Sequence, residues 1–593
     1  MTEQSLETPN RSDTLVVLLH AYTSSSQALA AVRDTVQGQW PNAKYLCPDL
    51  PASLWSTASP NQIVADLLKM VDIEVESAEC TERPIDNIVL IGHSLGALLA
   101  RKLYVVACGE TRAAPFEPQF IDIGSKTADG LLICRPWARL VSRLILLAGM
   151  NRGWRITHHL SLTKAPLWAF GAAIGHIIRL ISGRTLIIST IRQGAEFVTQ
   201  LRIQWIRMRQ MQERRGSNAA GGAMTIQLLG SIDDMVAPED NIDLVSGGDF
   251  YYMDVPFSGH ADIIEFHHPI LGAERRRVFL FALLGSEQQL KLDSVVPSDE
   301  QFVGANIDIT KVLFVIHGIR DAGYWTHKIA RRVKKRAGSA AKDWATETSS
   351  YGYFPMLPFL FPWYRRKKVE WLMDQYTEAV AKYPDANFYY VGHSNGTYLL
   401  AKALELYPCC QFQNIAFAGS VVSRNYDWSR LLEDSPPRVN SVLNFVASKD
   451  WVVAFFPKFF QVLGLQDLGS AGHDGFAVVR SGLNVYEVGY VSGGHGAALD
   501  EKLWDAIADF IIVGTPSKNQ ISNVVKRQAW PVKLLGRFPP VVWLIIAVIL
   551  WGVWIGIVKC IGIAFPEALD RSFATGIGAS AYALLIWLAV TRI

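Results

Sequence analysis

Two serines stand where acyl-transfer chemistry could be done. Ser94 lies in Gly92-His93-Ser94-Leu95-Gly96, and Ser394 lies in Gly392-His393-Ser394-Asn395-Gly396. Each follows an apolar, β-rich run (Val89-Leu90-Ile91; Phe388-Tyr389-Tyr390-Val391) and leads straight into helix formers. Flanking glycines allow a turn sharp enough to lift the serine hydroxyl clear of the backbone. With Gly near 7% of an average chain, one such pentapeptide arises by chance in roughly one chain in five of this length. Two copies in the same strand–turn–helix setting argue for a shared use. A serine hydroxyl is a poor nucleophile at neutral pH. It needs a histidine to take its proton and a carboxylate to hold that histidine in the right tautomer.

The elements that must position such groups can be read from the apolar pattern. Thr14–His20 is expected as a buried strand, ending in the polar loop His20–Ser26 and followed by a helix near Gln27–Gln37. Ala43–Cys47 is a second short strand. Asn61–Glu76 has helical spacing, with Ile63, Leu67, Met70 and Val71 on one face. Strands follow at Arg143–Leu147, within Met224–Val236 and at Phe250–Val255. From Lys311 the same order restarts, with strands within Lys311–Asp321, Ile415–Ser420 and Val442–Val453 and at Val485–Val491 around the second serine. Such alternation predicts an α/β class of mostly parallel sheets with helices on both faces.

At this point the chain resembles the α/β-hydrolase fold enzymes, in the broad lipase and esterase group. The quoted features are the strand and His20 loop, the GHSLG elbow, a late Asp and a terminal His, in the family's chain order. The resemblance implies Ser94 as nucleophile, His260 (in Ser258-Gly259-His260-Ala261-Asp262) as general base, and Asp233 as orienting carboxylate. The family's Gly-x-x-Asp-x-x-Val register over Gly230–Val236 selects Asp233, with Asp234 next in line. It further implies an oxyanion held by the backbone N–H groups of Leu95 and Tyr22. His20-Ala21 departs from the usual His-Gly, which bears on how closely the Tyr22 loop can approach.

The second half carries the matching set: Ser394, Asp450 and His495, with Asn395 and Ile319 as backbone donors. His473 is a rival base. His495 is preferred because it follows a strand, as His260 does. The expected organisation is therefore two tandem α/β-hydrolase domains. The first covers 1–285 with a helical cap at about 151–222. A linker spans 286–306, the second domain 307–515, and a membrane anchor 516–593. About 139 residues separate Ser94 from Asp233 and only about 56 separate Ser394 from Asp450, so the large cap belongs to the first domain. The cap is rich in Trp, Ile, Leu and arginines (179, 184, 192, 202, 207, 209). It reads either as an ordinary cap with solvated arginines or as a surface resting on anionic lipid. Likewise Tyr351–Lys368, aromatic and ending in four cations, reads as a membrane-interface segment or as a buried loop lining the site.

From Pro539 the composition changes. Val541–Val558 is a run of about 18 uncharged residues, and Ala574–Val590 a slightly shorter one, predicting transmembrane helices at about 540–563 and 573–591. Lys526, Arg527, Lys533 and Arg537 precede the first and the intervening turn is net acidic. The positive-inside bias thus places the hydrolase domains and the C-terminus in the cytoplasm.

Composition narrows the rest. A chain of 593 residues requires more than one core, and a formal charge of +3 makes no demand for a nucleic-acid partner. Seven cysteines without CxxC pairs fit free thiols. No metal-binding, Walker or dinucleotide motif occurs, so no cofactor and no metal is expected. The reading is a membrane-anchored serine esterase with a lipid-like ester as substrate. The alternative is a non-catalytic or half-catalytic hydrolase-fold scaffold that binds a ligand or partner at the membrane.

Overall fold

The computed structural model describes residues 13–154, 185–216, 219–233, 241–243, 245–247, 249–295, 305–321, 323–434, 436–477, 482–517, 521, 523–565 and 567–592. The chain divides into two compact units. One comprises Met1–Ala305 with Met373–Pro384 and Leu406–Cys409; the other comprises Asn306–Leu372, Asp385–Glu405 and Cys410–Ile593.

The long apolar runs of its inner strands are buried on both faces, and the first unit is built on six strands. These are β1 (Thr14–Leu19), β2 (Lys44–Leu46), β3 (Asn87–His93), β4 (Val141–Leu147), β5 (Met224–Gly230) and β6 (Tyr251–Val255). Their order is β2-β1-β3-β4-β5-β6, and every neighbouring pair is parallel. Alternate side chains serve opposite cores. Leu15, Val17, Leu90, Leu144 and Leu146 pack with α2 (Pro60–Cys80) and α3 (Leu95–Ala107). Val16, Leu18, Val89, Ile91 and Ile145 pack with α1 (Ala30–Gln39) and the helix Gly272–Leu284. In α2 the packed stripe is Ile63, Val64, Leu67, Leu68 and Val71, while Met70, expected to be inside, is 39% exposed.

Part of the expected cap, 155–184, lies outside the described residues, and with it Trp168, Arg179 and Arg184. Its described remainder includes the helix Glu196–Arg215, whose Trp205 is buried edge-on against Phe250. Arg202 of this helix is buried and bonded through Nε to Asp243 at 2.5 Å, so it is neither solvated nor free for lipid. The expected linker begins as structure: Ser286 and Gln289 form a capping box that starts a helix at Glu287–Asp293.

The second unit has six strands of the same order. β7 (Lys311–Ile316), β8 (Trp344–Glu347), β9 (Asn387–His393), β10 (Phe412–Ala418), β11 (Val439–Ala447) and β12 (Val485–Val491) lie as β8-β7-β9-β10-β11-β12, all parallel. One face packs Leu313, Val315, Tyr389, Val391, Leu443 and Phe445 against the helices Thr326–Ala337 and Trp504–Val513.

Two long helices end the chain, Pro539–Ala564 and Ala568–Arg592. They touch through Trp554 and Tyr582, whose rings stack at 5.7 Å, and the Tyr582 hydroxyl donates to the Leu550 carbonyl at 2.6 Å. Among the described residues, Pro539–Ala564 alone is long and apolar enough to cross a membrane. Its most apolar stretch has a mean hydropathy of 2.7 and none of it is buried. The second helix opens on Asp570 and Arg571 and carries Ser572, Thr575 and Ser580, which dilute its apolar character.

Candidate active site

In the first unit β3 ends at His93 and α3 begins at Leu95, leaving Ser94 alone to make the turn. Its backbone sits at φ 54°, ψ −112°, a region that costs a non-glycine residue about 1–3 kcal/mol. Packing holds it there. A Cβ on Gly96 would collide with the Leu19 carbonyl oxygen, so the start of α3 can approach β1 only with glycine at this position. Ser394 repeats the conformation with φ 51° between β9 and the helix Asn395–Leu406.

Parallel strands bring their carboxyl ends to one edge, and the loops there supply the partners of Ser94. The Ser94 hydroxyl lies 2.8 Å from His260 Nε2, and His260 Nδ1 lies 3.0 Å from Asp233 Oδ2. Asp233 can only accept, which places the imidazole proton on Nδ1 and leaves Nε2 to accept from the serine. The residue set expected from sequence is thus gathered into one chain of hydrogen bonds; Asp234 lies outside the described residues.

Behind this chain stands His93, the last residue of β3. Its Nε2 lies 2.8 Å from the His260 carbonyl oxygen. Burial and the neighbouring His260 hold its pKa down at about 4, so the ring is neutral at pH 7. The Nε2–H therefore donates, and Nδ1, unprotonated, has no partner. Arg275 was not singled out by any sequence signal. Buried in the helix Gly272–Leu284, it bonds Ser258 Oγ at 2.9 Å and Asp262 at 2.6 Å, bracing both sides of the His260 loop.

The expected backbone donors are positioned differently. The Leu95 N–H is at the first position of α3 and has no intrahelical carbonyl to reach. The Tyr22 N–H makes no backbone hydrogen bond among the described residues. Its loop is pinned from below: His20 Nδ1 lies 2.8 Å from the Ala21 carbonyl, and His20 Nε2 accepts the Leu50 N–H at 2.8 Å.

A cavity of about 850 Å³ opens onto Ser94 and His260. Leu54, Met150, Trp154, Ile188 and Ile191 give it an apolar wall; Ser24, Gln27, Glu265, His267 and His268 form polar parts of the lining. The apolar wall gathers residues from as far apart in the chain as Leu54 and Ile191, a grouping that local pattern does not reveal. The arrangement can pass a proton from Ser94 to His260 beside a space fit for an extended apolar group.

The second unit gathers a similar set with one difference. His495 Nδ1 lies 2.9 Å from Asp450 Oδ2, and Asp450, fully buried, also caps the next helix by accepting the Val453 N–H at 3.0 Å. His495 Nε2 is buried with no hydrogen-bond partner, so Ser394 is not bonded to it. His473, the rival base, is held elsewhere: Gln528 bonds its Nδ1 at 2.7 Å. Burial alone would lower the His495 pKa, but the Asp450 carboxylate overrides this and raises it. The same pairing holds Asp450 below the usual carboxylate range against the opposing effect of burial. Tyr351 stacks on His317 at 4.3 Å, and its hydroxyl accepts from Asn395 Nδ2 at 3.2 Å.

A pH test follows from the His495 shift. Imidazolium cannot accept a proton, so second-site ester turnover should rise with pH and level off above the ordinary histidine range near 6.5. It is to be measured in a Ser94→Ala chain. The stabilising charged pair is fully present below that ordinary value and is lost as pH rises through the raised pKa. Thermal melts of the second unit should therefore soften over the window in which its activity appears. A profile already flat well below pH 6 would contradict the pairing.

Comparison with known proteins gives the following. No curated protein matches the chain. Among solved structures, a monoacylglycerol lipase of Paleococcus ferrophilus aligns at 15% identity and a TM-score of 0.28, covering 47% of this chain and 95% of that one. The mature lipase BlEst2 of Bacillus licheniformis aligns at 14% and 0.27, with 47% and 95% covered. Phospholipase PlaB of Legionella pneumophila aligns at 14% and 0.22, with 39% and 40% covered. These likenesses are too low to bear on substrate. Residues 16–215, which hold Ser94, Leu95 and Tyr22, match the model of the Alpha/beta hydrolase family.

Proposed function

We propose that the chain is a membrane-anchored serine hydrolase that cleaves carboxylic esters of lipid type through an acyl-serine intermediate. The observation that carries this is the hydrogen-bonded chain Ser94–His260–Asp233, on a strained turn, beside a largely apolar cavity. Ser94 Oγ attacks the ester carbonyl as His260 Nε2 takes its proton. The resulting oxyanion is held by the Leu95 and Tyr22 N–H groups. The C–O bond to the alcohol breaks as His260 returns the proton to it, and water repeats the sequence to free the acid. Asp233 orients His260 throughout.

In this reading the chain carries two hydrolase domains, 1–285 and 307–515, with Ser394, His495 and Asp450 as the second catalytic set and Ile319 and Asn395 as its donors. Residues 516–593 anchor it. Pro539–Ala564 and Ala568–Arg592 both span, and Lys526, Arg527, Lys533 and Arg537 keep the domains in the cytoplasm. A half-catalytic variant of the reading is favoured by one observation, the missing bond between Ser394 and His495. Catalytic hydrogen bonds that are long at rest can tighten once substrate is bound.

The test is labelling by a fluorophosphonate in membranes, with wild type, Ser94→Ala, Ser394→Ala and the double variant. Ser94 is expected to label faster, the double variant not at all. Unchanged labelling in the double variant would overturn the assignment. No labelling of wild type would favour a binding scaffold.

A further inference from the structure

We infer that the end of the second sheet that carries Ser394 rests on a phospholipid bilayer, through a rim of aromatic, aliphatic and basic side chains continuous with the helix Pro539–Ala564. The inference builds on the reading of that helix as a membrane span.

The argument starts from strand direction. All six strands are parallel, so Ser394 after β9, Asp450 after β11 and His495 after β12 share one end of the sheet. Asp450 caps the helix Trp451–Phe455, and Pro457–Leu463 follows directly. The long apolar helix is seated on this pair without a spacer. Trp543, its fifth residue, stacks on Phe455 at 4.5 Å, meets Phe456 edge-on at 5.0 Å, and donates Nε1–H to the Phe455 carbonyl at 3.1 Å. The preceding strap is tied to the same end: Ala529 N–H bonds the Ser448 carbonyl at 2.9 Å, and the helix Trp530–Arg537 packs on Trp451–Phe455. Helical rise is about 1.5 Å per residue, so the apolar span begins within roughly one turn of the protein surface at Phe455.

What surrounds that point is suited to the boundary between water and hydrocarbon. Trp530 is 75% exposed, Leu465 62% and Trp363 53%, with Leu534, Leu463 and Tyr364 also outside. The Tyr351–Lys368 segment, read from sequence in two ways, divides between them. Tyr351, Phe354 and Phe359 are buried and Arg365 is locked to Asp467, whereas Phe361, Trp363 and Tyr364 stay exposed. The adjoining turn Met356–Phe359 packs against the helix Ala568–Arg592, which places this exposed trio beside the C-terminal helices. Lys367, Lys533 and Arg537 lie exposed among these groups. Tryptophan and tyrosine favour the headgroup level, and exposed cations beside them attract anionic lipid. Ser394 would then receive its ester from the leaflet.

The opposite end of the sheet supplies the control. Gly514 lies against the side chains of Asn414 and Ser441, near the amino ends of β10 and β11, and its neighbour Val513 is 67% exposed. Photoreactive benzoylphenylalanine is placed singly at Trp363, Leu463, Val513 or Ile549 of the full chain. The protein is reconstituted in vesicles of phosphatidylcholine and phosphatidylserine that contain tritiated phosphatidylcholine, then irradiated. Lipid adducts at 363, 463 and 549 but not at 513 are expected. Adducts at 549 alone, adducts of 363 and 463 to a polypeptide, or equal labelling at 513 would overturn the inference. Adducts at 363 and 463 without one at 549 would keep the resting face and remove the span.

Discussion

Adding Ser94→Ala to a chain that already carries Ser394→Ala should lower steady-state hydrolysis of a soluble ester by about 10⁴-fold or more. The size follows from how completely the site depends on one oxygen. Ser94 alone occupies the turn between β3 and α3, and its hydroxyl is the group bonded to His260 Nε2, at 2.8 Å. Without that oxygen, the Leu95 and Tyr22 N–H groups and the cavity could still polarise and hold an ester, which sets the residual rate. KM should change little, because the cavity wall is untouched. A loss below tenfold, with folding intact, would mean that the nucleophile is another residue.

The second large effect concerns stability. Lys102 of α3 is completely buried, and its ammonium is shared by Glu117, at 2.6 and 2.8 Å, and Gln204, at 2.5 Å. Glu117→Gln retains the shape and removes the countercharge. Breaking a buried ion pair from one side costs about 3–5 kcal/mol, because the remaining charge is left without compensation in a medium of low polarity. Since Lys102 sits two turns along the helix that Ser94 begins, denaturant midpoints and first-site turnover should fall together in Glu117→Gln. The double change Lys102→Met, Glu117→Leu should recover much of the stability, as apolar replacements of buried pairs often do. If the single change were silent in urea melts, the pair would not be sealed from water.

Much of the fold was legible because burial on both faces writes itself into a strand. Leu15–Leu19, Val89–Ile91 and Leu144–Leu147 are apolar at every position, and each forms a central strand of a parallel sheet. The serine turns were legible because Gly96 and Gly396 mark places where a side chain would strike the neighbouring strand's carbonyls. Other features depend on distances that no local pattern encodes. Ile188 and Ile191 meet Tyr22 across the cavity only once β1 and the cap are folded. The division of Tyr351–Tyr364 into buried and exposed rings could not be read, since prolines at 355, 358 and 362 erase any regular period. Met70 belonged to the helical stripe by spacing, yet the actual stripe is rotated toward Val64 and Leu68. Likewise, equal motifs around Ser94 and Ser394 gave no sign that only the first serine would be bonded to its histidine.

Rapid quenching of the enzyme in mid-turnover with a chromogenic ester, followed by mass analysis of its peptides, probes the acyl-serine step itself. The account predicts an acyl group on the peptide containing Ser94, formed in a burst that matches the first equivalent of alcohol released. Alcohol released at the wild-type rate with no acyl group on any serine would contradict it.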